Sequence, residues 1–452
     1  MKQSLPSDAA EVIARLAEAN AGFARRYPGE SDRRQPVHTV YGGAHLFAAD
    51  SARKLGDLAL RALETYAPAP RTFARAIGLP PALAGTVYRR VQEKLEREPV
   101  EDFRLDFEDG YGNRPDDEED ATAMAAAIAV ADGLRRGTLP PFIGIRMKPL
   151  NRDLGKRALR TLDLFCGTLL EATGGTLPPN FVVTLPKVVL EAQVAALAEV
   201  LERLERASGL SPGAIRLELM VETPQSLIGP DGRSPLPTLV DAAGGRCVAA
   251  HFGVYDYTAS LTITAAHQRM RHPACDLGRQ LMQLALAGTG VWLSDGATNV
   301  LPVGPHRTTG GQRLSKRRQR ENREAVFRAW RMHYDDVRHS LANAYYQGWD
   351  LHPAQLPTRY AAVYGFFLEG LESASARLKA FVEQAAQATL VGDVFDDAAT
   401  GQALLNYFLR GLNCGAITEA EAAATGLTLD QLRSRSFLRI LEGRQRRQRP
   451  PE

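Results

Sequence analysis

Eight short apolar segments recur along this chain, and most of them are separated by a stretch with helical periodicity. They start near residues 37, 102, 142, 181, 216, 247, 290 and 347. Most intervals are roughly 30–45 residues, the length of a strand followed by a helix that packs against a sheet. The pattern therefore predicts an α/β fold, a closed (β/α)8 TIM barrel, with an N-terminal helix and a C-terminal helical extension.

An open, doubly wound sheet is the alternative to the barrel. It is expected to carry a glycine-rich phosphate turn after an early strand, and Gly42-Gly43 matches that pattern poorly. We predict three segments along the chain, with a proline-containing excursion over residues 67–101 inside the second. These are an N-terminal helical segment over 1–36, the barrel over 37–357 and the helical extension over 358–452.

The amino-acid composition and charge exclude several classes of protein. The hydrophobic share of 44% and the charged share of 24% are ordinary for a globular protein. The net charge of +3 is too small to indicate a nucleic-acid partner, and no apolar run reaches the length of a membrane span. The N-terminus has the pattern of an amphipathic helix rather than a signal peptide. We expect a cytoplasmic protein whose four scattered cysteines are reduced thiols.

Charged side chains follow nearly every predicted strand. In a barrel of this kind the carboxyl ends of the strands carry the function. A solvated loop charge explains any single one of these residues about as well, but the collective pattern favours a site. The residues at these ends are Asp106, Glu108, Asp109, Arg146, Lys148, Lys187, Glu222, Asp256, Asp295, Asp350 and His352.

Glu222 and Asp256 are the best pair among them. Glu222 ends the apolar run Leu217–Val221, and a carboxylate buried there needs a cation or hydrogen bonds. Asp256 follows the next predicted strand, so adjacent strands bring the two acids together. Two carboxylates, with waters and a bidentate substrate, suit Mg²⁺ or Mn²⁺. A structural ion pair with an arginine is the alternative.

Three other strand ends suggest further roles. The fork of Arg146 matches a substrate carboxylate, unless it serves a structural ion pair. Asp106, Glu108 and Asp109 form a crowded acidic turn, which suits proton transfer; a helix-capping cluster is the alternative. Lys187 has the chemistry of a Schiff-base nucleophile, but a dense acidic site favours a protonated, salt-bridging or polarising lysine.

Taken in order, six motifs resemble the superfamily of citrate lyase β-subunits, malyl-CoA lyases and metal-dependent class II aldolases. Together they cover roughly residues 37–356, and no single one is specific. They are Asp106-Phe107-Glu108-Asp109, Ile145-Arg146-Met147-Lys148, Leu185-Pro186-Lys187, Val221-Glu222-Thr223, Gly253-Val254-Tyr255-Asp256, and the segment from Gly348 to Gln355.

The resemblance implies a Mg²⁺-dependent barrel that makes or breaks a carbon–carbon bond next to a carbonyl. It assigns the metal to Glu222 and Asp256 and the substrate to Arg146. Asp109 stands where the aldolase branch has a catalytic histidine, so that base does not carry over. In the lyase branch a neighbouring subunit contributes a catalytic aspartate near the C-terminus; Asp393, Asp396 or Asp397 is a loose match. The resemblance also implies a homo-oligomer, a trimer or hexamer.

The resulting hypothesis is a carbon–carbon lyase or aldolase acting through a metal-stabilised enolate. Its partner is a small-molecule 2-oxo acid, such as pyruvate or oxaloacetate, or an acyl-CoA thioester. We expect Arg146, Glu108 and Asp109 to be catalytic, and Arg146, Asp106 and Lys187 to bind substrate. One alternative is a phosphoenolpyruvate-using phosphoryl-transfer or hydrolytic enzyme, with the basic segment His267–Asp276 near the phosphate. A second is a non-catalytic, ligand-binding barrel.

Overall fold

A closed barrel of eight parallel strands forms the centre of the molecule, and β8 pairs with β1 to close it. The computed structural model describes residues 9–29, 33–308, 313–383, 389–391, 394–396, 398–433 and 440. The predicted (β/α)8 barrel is confirmed. The strands are β1 (His38–Gly43), β2 (Asp102–Asp106), β3 (Phe142–Arg146), β4 (Phe181–Leu185), β5 (Arg216–Val221), β6 (Cys247–Phe252), β7 (Trp292–Ala297) and β8 (Gln347–Asp350).

Helices surround the barrel and continue beyond it, and a two-stranded antiparallel sheet lies between two of the later helices. That sheet consists of β9 (Thr389–Val391) and β10 (Val394–Asp396). The helices are α1 (Ala9–Arg26), α2 (Ser51–Tyr66), α3 (Pro70–Ile77), α4 (Ala84–Arg97), α5 (Asp116–Arg136), α6 (Gly155–Thr173), α7 (Glu191–Ala207), α8 (Pro224–Leu227), α9 (Leu236–Ala242), α10 (Val254–Ser260), α11 (Pro273–Leu286), α12 (Lys316–Ala342), α13 (Leu356–Glu369), α14 (Leu371–Glu383), α15 (Ala398–Asn413), α16 (Glu419–Ala422) and α17 (Leu429–Arg433).

The excursion predicted over residues 67–101 contains α3 and α4. Together with α2 they form the long connection between β1 and β2. Helix α13 packs against α4, α2 and α12, so most of its side chains are buried. The boundary predicted between residues 357 and 358 falls inside this helix. The division into three segments stays a prediction.

The region between β6 and β8 differs most from the sequence-based prediction. The sequence analysis places Asp295 after the seventh strand, but β7 continues to Ala297 through Ser294, Asp295 and Gly296. No helix was predicted between β6 and β7, where α10 and α11 lie. Helix α11 begins with a proline at its first position, and its buried side is Cys275, Gly278, Arg279, Met282 and Leu286. A glycine and an arginine on that side obscure the helical apolar period.

Alternation along β2 places three charged residues inside the barrel, one above another. Asp102 accepts a hydrogen bond from Thr39 at 2.9 Å. Arg104, 1% exposed, crosses the interior to bind Glu218 through Nη2 at 2.6 Å. Asp106 is therefore the uppermost member of this row, at the carboxyl end of the barrel. Among the described residues, no helix is both long and apolar enough to cross a membrane.

Candidate active site

Arg146 and Asp106 form a two-point ion pair at the carboxyl ends of β3 and β2. Arg146 Nε donates to Asp106 Oδ1 at 2.8 Å, and Nη2 donates to Oδ2 at 2.5 Å. The same carboxylate accepts from the backbone N–H groups of Glu108 and Gly110, at 2.9 and 2.7 Å. Burial alone lowers the pKa of Arg146, but Asp106 and Glu108 hold it well above its usual value. Both Asp106 oxygens are thus engaged within the protein.

Lys187 brings a second cation to the acidic turn. Its Nζ lies 2.5 Å from Glu108 Oε1, 3.7 Å from Asp109 Oδ1 and 3.5 Å from Asp256 Oδ2. Burial lowers the pKa of Lys187, but Glu222 and Glu108 more than offset this, so its pKa is raised. Lys187 has φ of 51°, a left-handed conformation that costs a non-glycine residue about 1 kcal/mol or more. This conformation directs the backbone N–H of Lys187 to Glu222 and its ammonium group to Glu108.

Glu222 is the acid with the most perturbed environment in the site. It is 1% exposed, and its Oε1 accepts from the backbone N–H of Lys187 at 2.6 Å. The pKa of Glu222 is raised to about 8; burial is the largest cause, the positive charge of Lys187 opposes it, and the negative charge of Asp256 adds to it. A Cβ at Gly253 would lie 2.6 Å from Glu222 Oε2, so glycine is needed beside this oxygen. The site therefore holds a buried carboxylate that a stronger positive charge would stabilise.

Asp256 does not lie on β6 itself but in the first turn of α10, directly after the strand. Its side chain is 41% exposed, and Lys187 links it to Glu222. Among the described residues, no three His, Cys, Asp or Glu side chains are grouped as metal ligands. Mg²⁺ often takes only one or two carboxylates and keeps waters. Glu222 and Asp256 therefore fit Mg²⁺ as a two-carboxylate set, with Gly253 leaving room beside Glu222.

Three predicted strand-end residues are tied into structural contacts instead. Lys148 lies 3.0 Å from the fully buried Glu119. Asp350 is buried between His38 Nδ1 at 2.8 Å and His333 Nε2 at 2.9 Å. These contacts connect β8 to β1 and α12 and leave Asp350 no exposed surface. Asp295, inside β7, binds the buried Arg279 in the same way.

The basic segment His267–Asp276 also makes structural contacts. Arg271 Nε donates to Asp336 Oδ1 at 3.0 Å. His272 Nδ1 accepts from the backbone N–H of Ala274 and caps α11. None of these contacts favours a phosphate site.

Tyr41, Trp349 and His251 were missed by the sequence-based site prediction. The Tyr41 ring lies under Arg146, with the guanidinium carbon 4.9 Å from the ring centroid. Its centroid is 4.6 Å from that of Trp349. Tyr41 OH and Trp349 Nε1 both approach His251 Nδ1, at 3.3 and 3.2 Å. Alternation along the segment Val37–Tyr41 is the signal that places Tyr41 inside the barrel.

The acid that the resemblance expects from a neighbouring subunit is not located. Asp393 and Asp397 lie outside the described residues, as does the side chain of Asp396, whose backbone ends β10.

Comparison with known families gives one match over most of the chain. The model of a domain of unknown function, DUF6986, matches residues 16–440. No curated protein matches the sequence.

Comparison with solved structures gives matches at low sequence identity. A citrate lyase from Burkholderia xenovorans LB400 is 17% identical, with a TM-score of 0.55 over 87% of this chain and 97% of that one. A lead(II) complex of Haloferax volcanii malate synthase is 14% identical, with a TM-score of 0.46 over 93% and 97%. CitE from Mycobacterium tuberculosis, in complex with magnesium, acetoacetate and coenzyme A, is 16% identical, with a TM-score of 0.46 over 85% and 100%. The first of these confirms the predicted likeness to citrate lyases at the level of the fold.

Proposed function

This chain belongs to the DUF6986 family, a domain of unknown function, and we propose that it is a Mg²⁺-dependent carbon–carbon lyase or aldolase. Its substrate is a 2-oxo acid or an acyl-CoA thioester. The observation that carries the proposal is Glu222, a buried carboxylate with its pKa raised to about 8, beside Asp256 at the mouth of the barrel. The reaction class rests on the sequence resemblance.

Glu222 and Asp256 are the residues that would hold the metal. When bound there, Mg²⁺ supplies a Lewis acid that polarises the carbonyl oxygen of the substrate. Lys187 orients both acids, because its backbone N–H binds Glu222 and its Nζ lies 3.5 Å from Asp256. This arrangement supports a salt-bridging and orienting role for Lys187 rather than Schiff-base chemistry.

Arg146 binds the substrate's anionic oxygen through one nitrogen. Asp106 occupies Nε and Nη2, so Nη1, 3.3 Å from Glu108 and 3.7 Å from Asp109, is the donor that faces the acidic turn. Asp106, predicted to bind substrate, has both oxygens engaged, and we assign it to positioning Arg146. The ring of Tyr41 packs against the guanidinium of Arg146.

Asp109 moves the proton. Its side chain is 60% exposed and lies 3.7 Å from both Arg146 Nη1 and Lys187 Nζ, so it is accessible to substrate. In the cleavage of a 2-oxo-4-hydroxy acid, Asp109 takes the proton of the C4 hydroxyl group. The C3–C4 bond breaks, its electron pair forms a C2–C3 double bond, and the carbonyl π pair moves onto the 2-oxo oxygen. C3 of this enolate then takes the proton from Asp109 as the 2-oxo group re-forms. The products are an aldehyde and a 2-oxo acid. Glu108, held by Lys187 and Arg146, keeps the two cations in place.

Retro-aldol assays with a panel of 2-oxo-4-hydroxy acids and acyl-CoA thioesters test this proposal. We expect turnover that needs Mg²⁺ and stops with a chelator. Arg146→Gln should lower kcat about 100- to 1,000-fold, the effect of removing one donor from a developing oxyanion. Arg203→Gln, which removes the same charge from the exposed face of α7, should leave turnover unchanged. Turnover that survives Glu222→Ala would refute the site assignment, and phosphate release from phosphoenolpyruvate would favour the phosphoryl-transfer alternative.

A further inference from the structure

Helix α1 exposes an apolar stripe. Every described side chain from Glu11 to Arg26 is exposed except at Gly22. The large apolar side chains of α1 are all exposed: Val12 at 55%, Ile13 at 63%, Leu16 at 52% and Phe23 at 66%. An amphipathic helix in a folded protein normally buries such a stripe. This surface is therefore shaped to pack against something beyond the barrel of its own chain.

The helix is attached to the barrel at its C-terminal end. Arg26 binds Asp241 after β5 at 3.1 Å, and the backbone N–H of Gly29 donates to Gly288 after α11 at 2.8 Å. The rings of Phe23 and Tyr27, one turn apart, are in tilted contact, with centroids 4.8 Å apart. These contacts fix where α1 leaves the body and leave its stripe accessible.

The spacing of the stripe is that of a helix–helix seam. Val12, Leu16, Ala19 and Phe23 follow intervals of four, three and four residues. That spacing matches the alternating core positions of a coiled coil, in which each apolar side chain inserts between residues of a facing helix. A helix, rather than a flat surface, is therefore the partner that this stripe fits.

We propose that the stripe pairs α1 with α1 of a second copy of this chain, in antiparallel orientation around a two-fold axis. With the axis between residues 17 and 18, Leu16 faces Ala19 of the other copy, and Val12 faces Phe23. Each contact then pairs a larger side chain with a smaller one, which favours close packing.

Charge on α1 also favours the antiparallel orientation. Its first described turn carries Glu11, and its last turn carries Arg25 and Arg26. Antiparallel pairing brings the acid of one copy to the bases of the other and sets the two helix dipoles in opposite directions. Parallel pairing places like charges side by side. The two-fold seam makes a dimer of single chains, or joins two trimers into a hexamer.

Sedimentation velocity and light scattering on the full chain test the pairing. Leu16→Glu with Phe23→Glu places charges in the seam of both copies, and we expect the dissociation constant to rise at least about 100-fold. The mass then halves at micromolar concentration. Ala14→Glu with Ala21→Glu adds the same charges on the opposite face of α1 and should leave the mass unchanged. Circular dichroism should show both variants folded, since all four side chains are exposed.

Disulfide trapping tests the orientation. Val12→Cys chains mixed with Phe23→Cys chains should cross-link, and neither variant should cross-link alone, because both positions lie far from the two-fold axis. Burial raises the pKa of the four native thiols to about 12, which makes them slow competitors. Cross-linking of either variant with itself would overturn the antiparallel seam. A wild-type mass equal to that of the stripe variant would overturn the pairing itself, as would α1-dependent binding of monomers to anionic vesicles.

Discussion

Replacing Glu222 by glutamine removes a buried ionisable group while keeping the shape of the side chain and the hydrogen bond from the Lys187 N–H. In the folded chain the pKa of Glu222 is raised from 4.5 to about 8, mainly by burial. Between these values the folded state keeps the proton that the unfolded state has lost. Rising pH therefore favours unfolding across this window, and falling pH restores stability.

The interval from 4.5 to about 8 corresponds to about 5 kcal/mol at about 1.36 kcal/mol per pH unit. Without metal, the free energies of unfolding of wild type and Glu222→Gln should differ at pH 4.5 only by a constant that does not depend on pH. By pH 8 the variant should be more stable by several kcal/mol. Mg²⁺ should narrow the difference at pH 8, because a cation beside the carboxylate favours its ionised form.

Urea unfolding at pH 5, 6.5 and 8, with and without Mg²⁺, measures this difference. Glu199→Gln is the matched control, since its exposed carboxylate makes only a surface ion pair, and its offset from wild type should stay within about 0.5 kcal/mol at every pH. If wild type and Glu222→Gln lose stability in parallel from pH 5 to pH 8, the raised pKa is not a property of the folded site.

Two further substitutions have expected outcomes. Gly253→Ala would place a Cβ 2.6 Å from Glu222 Oε2. Calorimetry should show Mg²⁺ affinity weakened at least about 10-fold while the barrel stays folded, and unchanged affinity would contradict the ligand assignment. Arg104→Met should lower the free energy of unfolding in urea by about 3–5 kcal/mol, because Asp102 and Glu218 stay buried without their cation. A loss below about 1 kcal/mol would show that the two acids do not depend on Arg104.

The barrel could be predicted because its outward-facing strand positions are apolar. Leu105, Ile145, Val183 and Leu219 are each 1% exposed or less and pack under the surrounding helices. This burial produces the short apolar segments that the sequence shows at regular intervals. The segment around Asp295 broke the pattern, because a buried ion pair replaces apolar packing there.

Proximity within the site was less predictable. Sequence order placed Arg146 and Glu222 at strand ends, but it left open whether Arg146 faces substrate or an acid. The choice depends on side-chain geometry across two strands, and Asp106 takes two of the three guanidinium nitrogens. Lys187 reaches Asp256 through a left-handed backbone conformation that no local pattern indicated.

Deuterium exchange into the methyl groups of pyruvate and acetyl-CoA, followed by proton NMR, tests the proposed chemistry most directly. It detects formation of the carbanion equivalent without requiring the second substrate. We expect the wild-type chain to catalyse exchange into at least one of the two compounds, and this exchange should require Mg²⁺. Its rate should fall about 100-fold or more in Arg146→Gln and in Glu222→Gln. Absence of exchange into both compounds with folded, Mg²⁺-loaded protein, or exchange in either variant as fast as in wild type, would contradict a carbon–carbon lyase at this site.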